Sequence, residues 1–311
     1  MKSEFEIIKK YIQPLVGDND KYSIGLSDDV GIVDNLIFST DTIVEGVHFL
    51  SNNKPEDIAK KLVRVNVSDL IAKGVKPGFC LLNFSAGKII NEGWIKSFMY
   101  SLNEDFKKYN INLVGGDTVQ TKGKTVLSLC IFGRKPKSNI KLRSSAIPGD
   151  NIYVSGTIGD SALGLMILNN KLKVNKKFKE FLIDRYLVPK PRIELVNIVN
   201  KRANASIDIS DGLIQDLQNL CLSSGVGAEI NFADIPLSSA ARSIVDKNSK
   251  MIEVILNGGD DYEILFTGAK GLETKKNIRM IGKITKGSKI SILDLKLKDR
   301  TIKNGFNHIF K

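Results

Sequence analysis

Residues 78–117 read GFCLLNFSAGKIINEGWIKSFMYSLNEDFKKYNINLVGGD, and their pattern decides the fold class. Residues 78–86 form a short apolar run of strand length. Over 91–109 the pattern changes: Trp94, Phe98, Leu102 and Phe106 recur every fourth position, which puts them on one face of a helix. Residues 111–114 return to a short strand that runs into Gly115-Gly116-Asp117. Strand, helix and strand in succession predict a crossover unit, and the same alternation continues outward. Strands are predicted over 36–40, 124–133, 151–155, 205–209 and 261–267, and helices over 55–73, 190–202 and 213–224. Pro55 suits a first helical turn and Gly74 a helix end. The chain is therefore read as α/β (α+β), with mixed sheets flanked by helices. The aperiodic, charged segment 134–150, which holds two prolines, reads as a connection between two domains, 1–138 and 139–311.

Composition narrows the function classes. The 311 residues hold 42% hydrophobic and 26% charged residues, enough for a substantial core and ordinary for a soluble chain. No run approaches the length of a membrane helix, and the N-terminus, MKSEFEIIKKYIQ, has charges throughout and no apolar block. It reads as a helix with Ser3 and Glu6 at capping-box spacing, and the protein as cytoplasmic without a membrane partner. Cys80, Cys130 and Cys221 form no CxxC pair, which argues against zinc and thiol-redox chemistry. The net charge of +12 admits a nucleic-acid surface. The lysines are spread in small groups, however, and no dense arginine or aromatic-interleaved patch appears, so solubilising charge is the preferred reading.

The aspartates carry the chemical signal. Asp28 and Asp29 lie in GLSDDVG, Asp41 in STDTIVEGVHF, and Asp69 in RVNVSDLIAKG, where Asn66 shares its helical face. Asp117 lies in VGGDT, Asp208 and Asp211 in SIDISDGL, and Asp260 and Asp261 in NGGDDYEILF. One aspartate beside Gly or Ser is ordinary at a turn or cap. The set is not ordinary, because it recurs at strand ends. Converging carboxylates cannot all stay ionised without cations, and hard oxygen donors call for Mg2+ or Ca2+. The Ca2+ helix–loop–helix signature is absent, and Mg2+ bridges carboxylates to phosphates. This points to nucleotide chemistry. No Walker A or protein-kinase loop set occurs. Glycine pairs at 115–116 and 258–259 permit close backbone approach, and 156–159 opens a helix whose N-terminus can receive an anion. Only two histidines, His48 and His308, are present, and no Ser–His–Asp set suggests itself. A phosphate acceptor is already an anionic nucleophile and needs positioning and neutralisation rather than a general base.

Eight motifs then occur in a known order: STDTIVEGVHF, KLVRVNVSDLIAKGVKP, VGGDT, RSSAIPGD, VSGTIGDSALGL, YLVPKPR, SIDISDGLIQDL and GGDDYEILFT. Over about residues 4–309 the chain resembles the thiamine-monophosphate kinase family. The wider superfamily includes aminoimidazole ribonucleotide synthetase, selenophosphate synthetase and a hydrogenase-maturation protein. The resemblance implies their two-domain architecture, a homodimer with packed N-terminal domains, and ATP-dependent phosphorylation of thiamine monophosphate with several Mg2+ ions. A relative using another acceptor is the alternative. By motif match the implied metal ligands are Asp29, Ser39, Thr40, Asp41, Asp69, Asp117, Asp208 and Asp211. The implied ATP contacts are Tyr100, Gly116, Asp117, Arg143 and Ser210, and the implied acceptor contacts are His48, Asp260 and Phe306. The chain departs from the family in having Ser27 before Asp28-Asp29 where glycine is usual, Asp260 where glutamate is usual, and VQTK at 119–122 in place of the common pattern.

Overall fold

The computed structural model describes residues 2–17, 22–88, 90–272, 277–294 and 309–310. In chain order its regular elements begin with β1 (Lys2–Ser3), α1 (Glu4–Ile7), β2 (Gly31–Val33), β3 (Leu36–Val44), α2 (Pro55–Ala72) and β4 (Pro77–Ala86). They continue with α3 (Glu92–Tyr109), β5 (Asn112–Gln120), β6 (Val126–Arg134), β7 (Asn151–Ser155), α4 (Asp160–Leu168) and α5 (Lys176–Leu187). The remainder are α6 (Val196–Arg202), β8 (Ala203–Asp208), α7 (Leu213–Ser224), β9 (Gly227–Asn231), α8 (Ser239–Lys247), α9 (Met251–Asn257), β10 (Ile264–Gly268), β11 (Ile278–Thr285), β12 (Ile290–Leu293) and β13 (Ile309–Phe310).

Three sheets result. A five-stranded sheet has the order β2-β3-β6-β4-β5, and a six-stranded sheet the order β12-β9-β11-β7-β10-β8. β1 and β13 pair the two ends of the chain. In the five-stranded sheet only β4 and β5 run parallel, because α3 carries the chain back between them. In the six-stranded sheet only β12 and β9 are parallel.

The two larger sheets are joined by α2. It packs against β3 and β6 on one side and β8 and β10 on the other, so its whole circumference is enclosed. Fourteen of its residues are buried, among them Lys61, Arg64, Asn66, Ser68 and Asp69. Such a helix is normally apolar all round; this one places polar groups inside the molecule, and each needs a partner there. The apolar core around it takes Leu62, Leu70 and Ile71 from α2, Leu129 and Ile131 from β6, and Tyr153 and Phe266 from one face of the six-stranded sheet. The opposite face of that sheet, including Ile152, Val154 and Leu265, packs on α4, α7 and α9 in a second core. The alternation along β7 (Ile152 and Val154 one way, Tyr153 the other) is the period of two that a strand buried on both faces requires.

Three elements differ from the sequence reading. β5 does not stop at Val114 but continues through the glycine pair to Gln120. Gly116 makes this possible: it has φ 151°, and any side chain there would overlap the Leu82 carbonyl of β4. The helix expected over 190–202 begins only at Ile193 as a 3-10 turn, because Pro189 and Pro191 keep the preceding residues extended. The strand expected from 261 starts at Ile264, since Asp260 and Tyr262 have φ of 69° and 49°.

Arg64 is held on α2 by Asp105 of α3, with Nε to Oδ2 at 2.6 Å and Nη2 to Oδ1 at 2.9 Å. Its Nη1 donates to the Pro189 carbonyl at 3.1 Å. Removing the carboxylate strands a buried guanidinium. Asp105→Ala is expected to lower unfolding free energy by about 3–5 kcal/mol in urea titrations; a loss under about 1 kcal/mol would show that water replaces the partner.

Candidate metal and phosphate site

Both sheets and α2 contribute to one carboxylate cluster. Asp29 from the loop before β2, Asp69 from α2 and Asp208 from the end of β8 present oxygens within 4.8 Å of one another. Ser39 on β3 donates to Asp69 Oδ2 at 2.5 Å and to the Asp29 carbonyl at 2.9 Å. Ser68 donates to Asp208 Oδ2 at 2.7 Å. The Asn66 side chain accepts from the Asp41 backbone N–H at 2.9 Å, fixing β3 against α2.

The electrostatics of the cluster favour a bound cation. Burial, then Asp211, Glu4 and Asp260, push Asp41 up to about 6. Burial raises Asp208 to about 6, with Asp41 adding to it and the Ser68 hydrogen bond opposing. Asp211 also rises to about 6, through burial and then Glu4. Asp69 stands well above the usual carboxylate range because it is buried beside Asp41 and Asp208. Asp29 Oδ2 is buried and accepts no well-directed hydrogen bond, although Lys73 Nζ lies 2.6 Å away. Buried, mutually repelling carboxylates fit a hard divalent ion.

Other expected residues lie around this centre. Arg143 pairs with Asp29 through its guanidinium, and its backbone N–H donates to Asp28 Oδ2 at 2.7 Å. The Ser210 carbonyl accepts from the Asp260 N–H at 2.8 Å. Asp260 reaches Lys61 Nζ at 3.1 Å, and that ammonium also donates to the His48 carbonyl at 2.9 Å. His48, Lys61 and Asp260 are therefore one connected group, and Asp260 raises both Asp41 and Asp211.

Some expected residues are not brought to the cluster. Ser39 and Asp41 face α2, so Thr40 and Thr42 face the other way. Thr42 Oγ1 lies 2.7 Å from Ser128 Oγ on that outer face. Asp117 stands in register with Asn83, and Asn83 with Ser128, so it belongs to the same outer row. It is exposed on the edge strand β5, three strand spacings (about 14 Å) from β3. Within one chain the Thr40 and Asp117 side chains lie on the sheet face opposite to Asp69. Tyr100 is 70% exposed on α3. Phe306 lies outside the described residues.

The helix N-terminus after 156–159 does not await an external anion. Asp261 fills it, accepting from the Gly159 N–H at 2.5 Å and the Ser161 N–H at 3.2 Å. Burial lifts this carboxyl to about 8, against the pull of Arg185. Asp211 is likewise not the cap of α7. The cap position is Gly212, which offers no side-chain bond, and Asp216 in the first turn accepts from the backbone N–H groups of Asp211 and Gly212 at 3.1 Å each. Sequence reasoning passed over Asp216, Ser68, Lys61 and Lys73. Lys73 had a legible signal: it follows Asp69 by four residues, on the same helix face.

Comparison with known proteins identifies the family. Residues 27–134 match the N-terminal domain of AIR synthase related proteins, and residues 148–293 match their C-terminal domain. The thiamine-monophosphate kinase of Buchnera aphidicola subsp. Schizaphis graminum is 39% identical over 98% of both chains. The chain belongs to the thiamine-monophosphate kinase family. Its Escherichia coli K12 member is 40% identical over 85% of this chain and 82% of its own. The solved structure of AaThiL complexed with AMPPCP and TMP superposes with a TM-score of 0.87 at 32% identity, over 99% of this chain and 97% of that one. The family's two-sheet α/β architecture is the one described above.

The raised carboxylates give a pH signature. Without metal, folded Asp41, Asp208 and Asp211 hold protons more tightly than the unfolded chain does, so the folded state gains relative stability at low pH and loses it as pH rises through about 6. In EDTA the melting temperature is expected to fall between about pH 5 and about pH 7, and Mg2+ should offset most of the fall at the upper end. A profile identical with and without Mg2+ would contradict the cluster's role.

Proposed function

We propose that this protein transfers the γ-phosphoryl group of ATP to the phosphate of thiamine monophosphate, giving thiamine diphosphate and ADP. The observation that carries the reading is the buried meeting of Asp29, Asp69 and Asp208 inside a chain of this family. The AaThiL structure holds AMPPCP and TMP, a non-hydrolysable ATP analogue and the acceptor, in the same fold. An oxygen of the acceptor phosphate forms the new bond to phosphorus, and the bond to the ADP oxygen breaks. The acceptor oxygen is already anionic at neutral pH, which fits a site with no general base at its centre.

Mg2+ supplies charge neutralisation of the polyphosphate when bound. Asp29, Asp41, Asp69, Asp208 and Asp211 are the side chains we assign to it, with Ser39 orienting Asp69. Arg143 and Ser210 are assigned to the nucleotide, and His48 and Asp260 to the acceptor. Residues 1–138 are read as the part that holds most metal ligands and dimerises, and 139–311 as the part that completes the site. The three cysteines are free, and among the described residues no helix is long and apolar enough to cross a membrane. Cytoplasmic residence suits such a thiol state and substrates of this charge.

A homodimer is part of the reading. β5 is an edge strand exposed along its length, with Leu113, Val114 and Val119 open to solvent. A long apolar edge of this kind invites coverage by another chain. A second copy on that edge would bring exposed Asp117 of each chain into the interface. Val114→Glu is expected to shift the sedimenting species to monomer with loss of turnover; an active dimer of this variant would reject the β5 interface.

Purified protein given Mg2+, ATP and thiamine monophosphate should form thiamine diphosphate, followed by chromatography. Asp41→Asn should keep its circular dichroism spectrum and lose about 100-fold or more in turnover, since each tenfold corresponds to 1.36 kcal/mol of lost charge stabilisation. No turnover by the folded wild-type protein would reject the acceptor, and wild-type rates in Asp41→Asn would reject the metal assignment.

A further inference from the structure

Lys73 closes the C-terminal end of α2 and is 0% exposed. Its Nζ lies 2.7 Å from Asp28 Oδ1 and 2.6 Å from Asp29 Oδ2, and donates to the Ser206 carbonyl of β8 at 2.7 Å. Arg143 takes the other oxygen of each carboxylate, with its side chain on Asp29 and its backbone N–H on Asp28. Two carboxylates and two cations thus form a neutral buried quartet. The rest of the cluster is built differently: among the described residues, Asp41, Asp69, Asp208 and Asp211 have no lysine or arginine in ion-pair contact.

The loop that delivers Asp28 and Asp29 also needs an anchor. Ile24, Gly25 and Leu26 have φ of 52°, 64° and 54° in succession, a conformation that side-chain-bearing residues adopt only when neighbouring structure enforces it. Lys73 is the fixed point within reach, since it comes from a helix locked between two sheets.

We propose that Lys73 is a built-in cation, standing where a metal ion would otherwise be required at the Asp28–Asp29 edge, and that it positions Asp29 for the divalent ions at the centre. Lys73 is a positioning residue, and the inference rests on the metal reading given above. The protein neutralises one edge of its carboxylate cluster itself and leaves only the centre to imported ions.

The test compares full-length wild type with Lys73→Met, a neutral side chain of similar length, by thermal unfolding in EDTA and in saturating Mg2+ without nucleotide, with Mg2+ uptake by titration calorimetry. Lys73→Met should melt well below wild type in EDTA, recover at least half of the difference in Mg2+, and take up more Mg2+ per chain than wild type. The same melting deficit in both media, with unchanged uptake, would overturn the proposal. Should Lys73→Met be insoluble, Asp28→Asn with Lys73→Met removes one charge of each sign and is expected to restore soluble protein. Insolubility of that double variant would overturn the charge-balance account. A wild type that gains no stability from Mg2+ would remove the metal reading, and this proposal with it; a wild type that gains stability beside an indifferent Lys73→Met would remove the Lys73 proposal alone.

Discussion

The structure depends on a helix that carries charge into the interior. α2 lies between two sheets with Lys61, Arg64, Asp69 and, at its end, Lys73 all removed from solvent. A buried charge is tolerated only with a partner close by, so each of these residues dictates what must be built around it. Arg64 requires Asp105, and α3 is tied to α2 through that pair. Lys73 requires Asp28 and Asp29, and Lys61 requires Asp260. Asp69 is the exception: among the described residues it has the Ser39 hydroxyl and further carboxylates but no cation in ion-pair contact. Its buried charges are thus paired at Lys61, Arg64 and Lys73, and Asp69 is left where an imported cation fits.

That exception explains the topology's relation to the site. Residues 61, 65, 69 and 73 form one stripe along α2, so Lys61 and Lys73 stand about 18 Å apart with Asp69 between them. β3 approaches the stripe from one sheet and β8 from the other, delivering Ser39 and Asp41, and Asp208. Neither sheet alone places enough carboxylates together to hold a polyphosphate–metal complex. The cluster exists only because both sheets use the same helix as their core, which couples integrity of the site to integrity of the fold.

Much of this was legible in the sequence. The boundaries of α2 and α3 followed from Pro55, Gly74 and the four-residue apolar spacing, because helix ends and amphipathic faces are local features. The carboxylate set was legible as recurrence at strand ends. What was not legible depended on long-range packing. A glycine pair reads as a turn, yet Gly115 and Gly116 lie within β5, since the parallel neighbour demands a close approach that no local rule reveals. The loop before α4 reads as an anion site, yet Asp261, 100 residues along the chain, occupies it. The outward direction of Asp117 follows from sheet register, which sequence spacing alone does not fix.

Asp260 shows how a departure from a family pattern is absorbed. Aspartate reaches about one methylene less than the glutamate of the family pattern noted above, and its backbone has φ 69°. The carboxylate lies 3.1 Å from Lys61 and acts on Asp41 and Asp211. Lys61 is itself held between the His48 carbonyl and the face of Tyr186, with its nitrogen 3.9 Å from the ring centroid. A lysine so enclosed has little freedom to follow the shorter acid, so Asp260 must come to it. The positive φ and the fixed ammonium together hold the Asp260 charge beside Lys61.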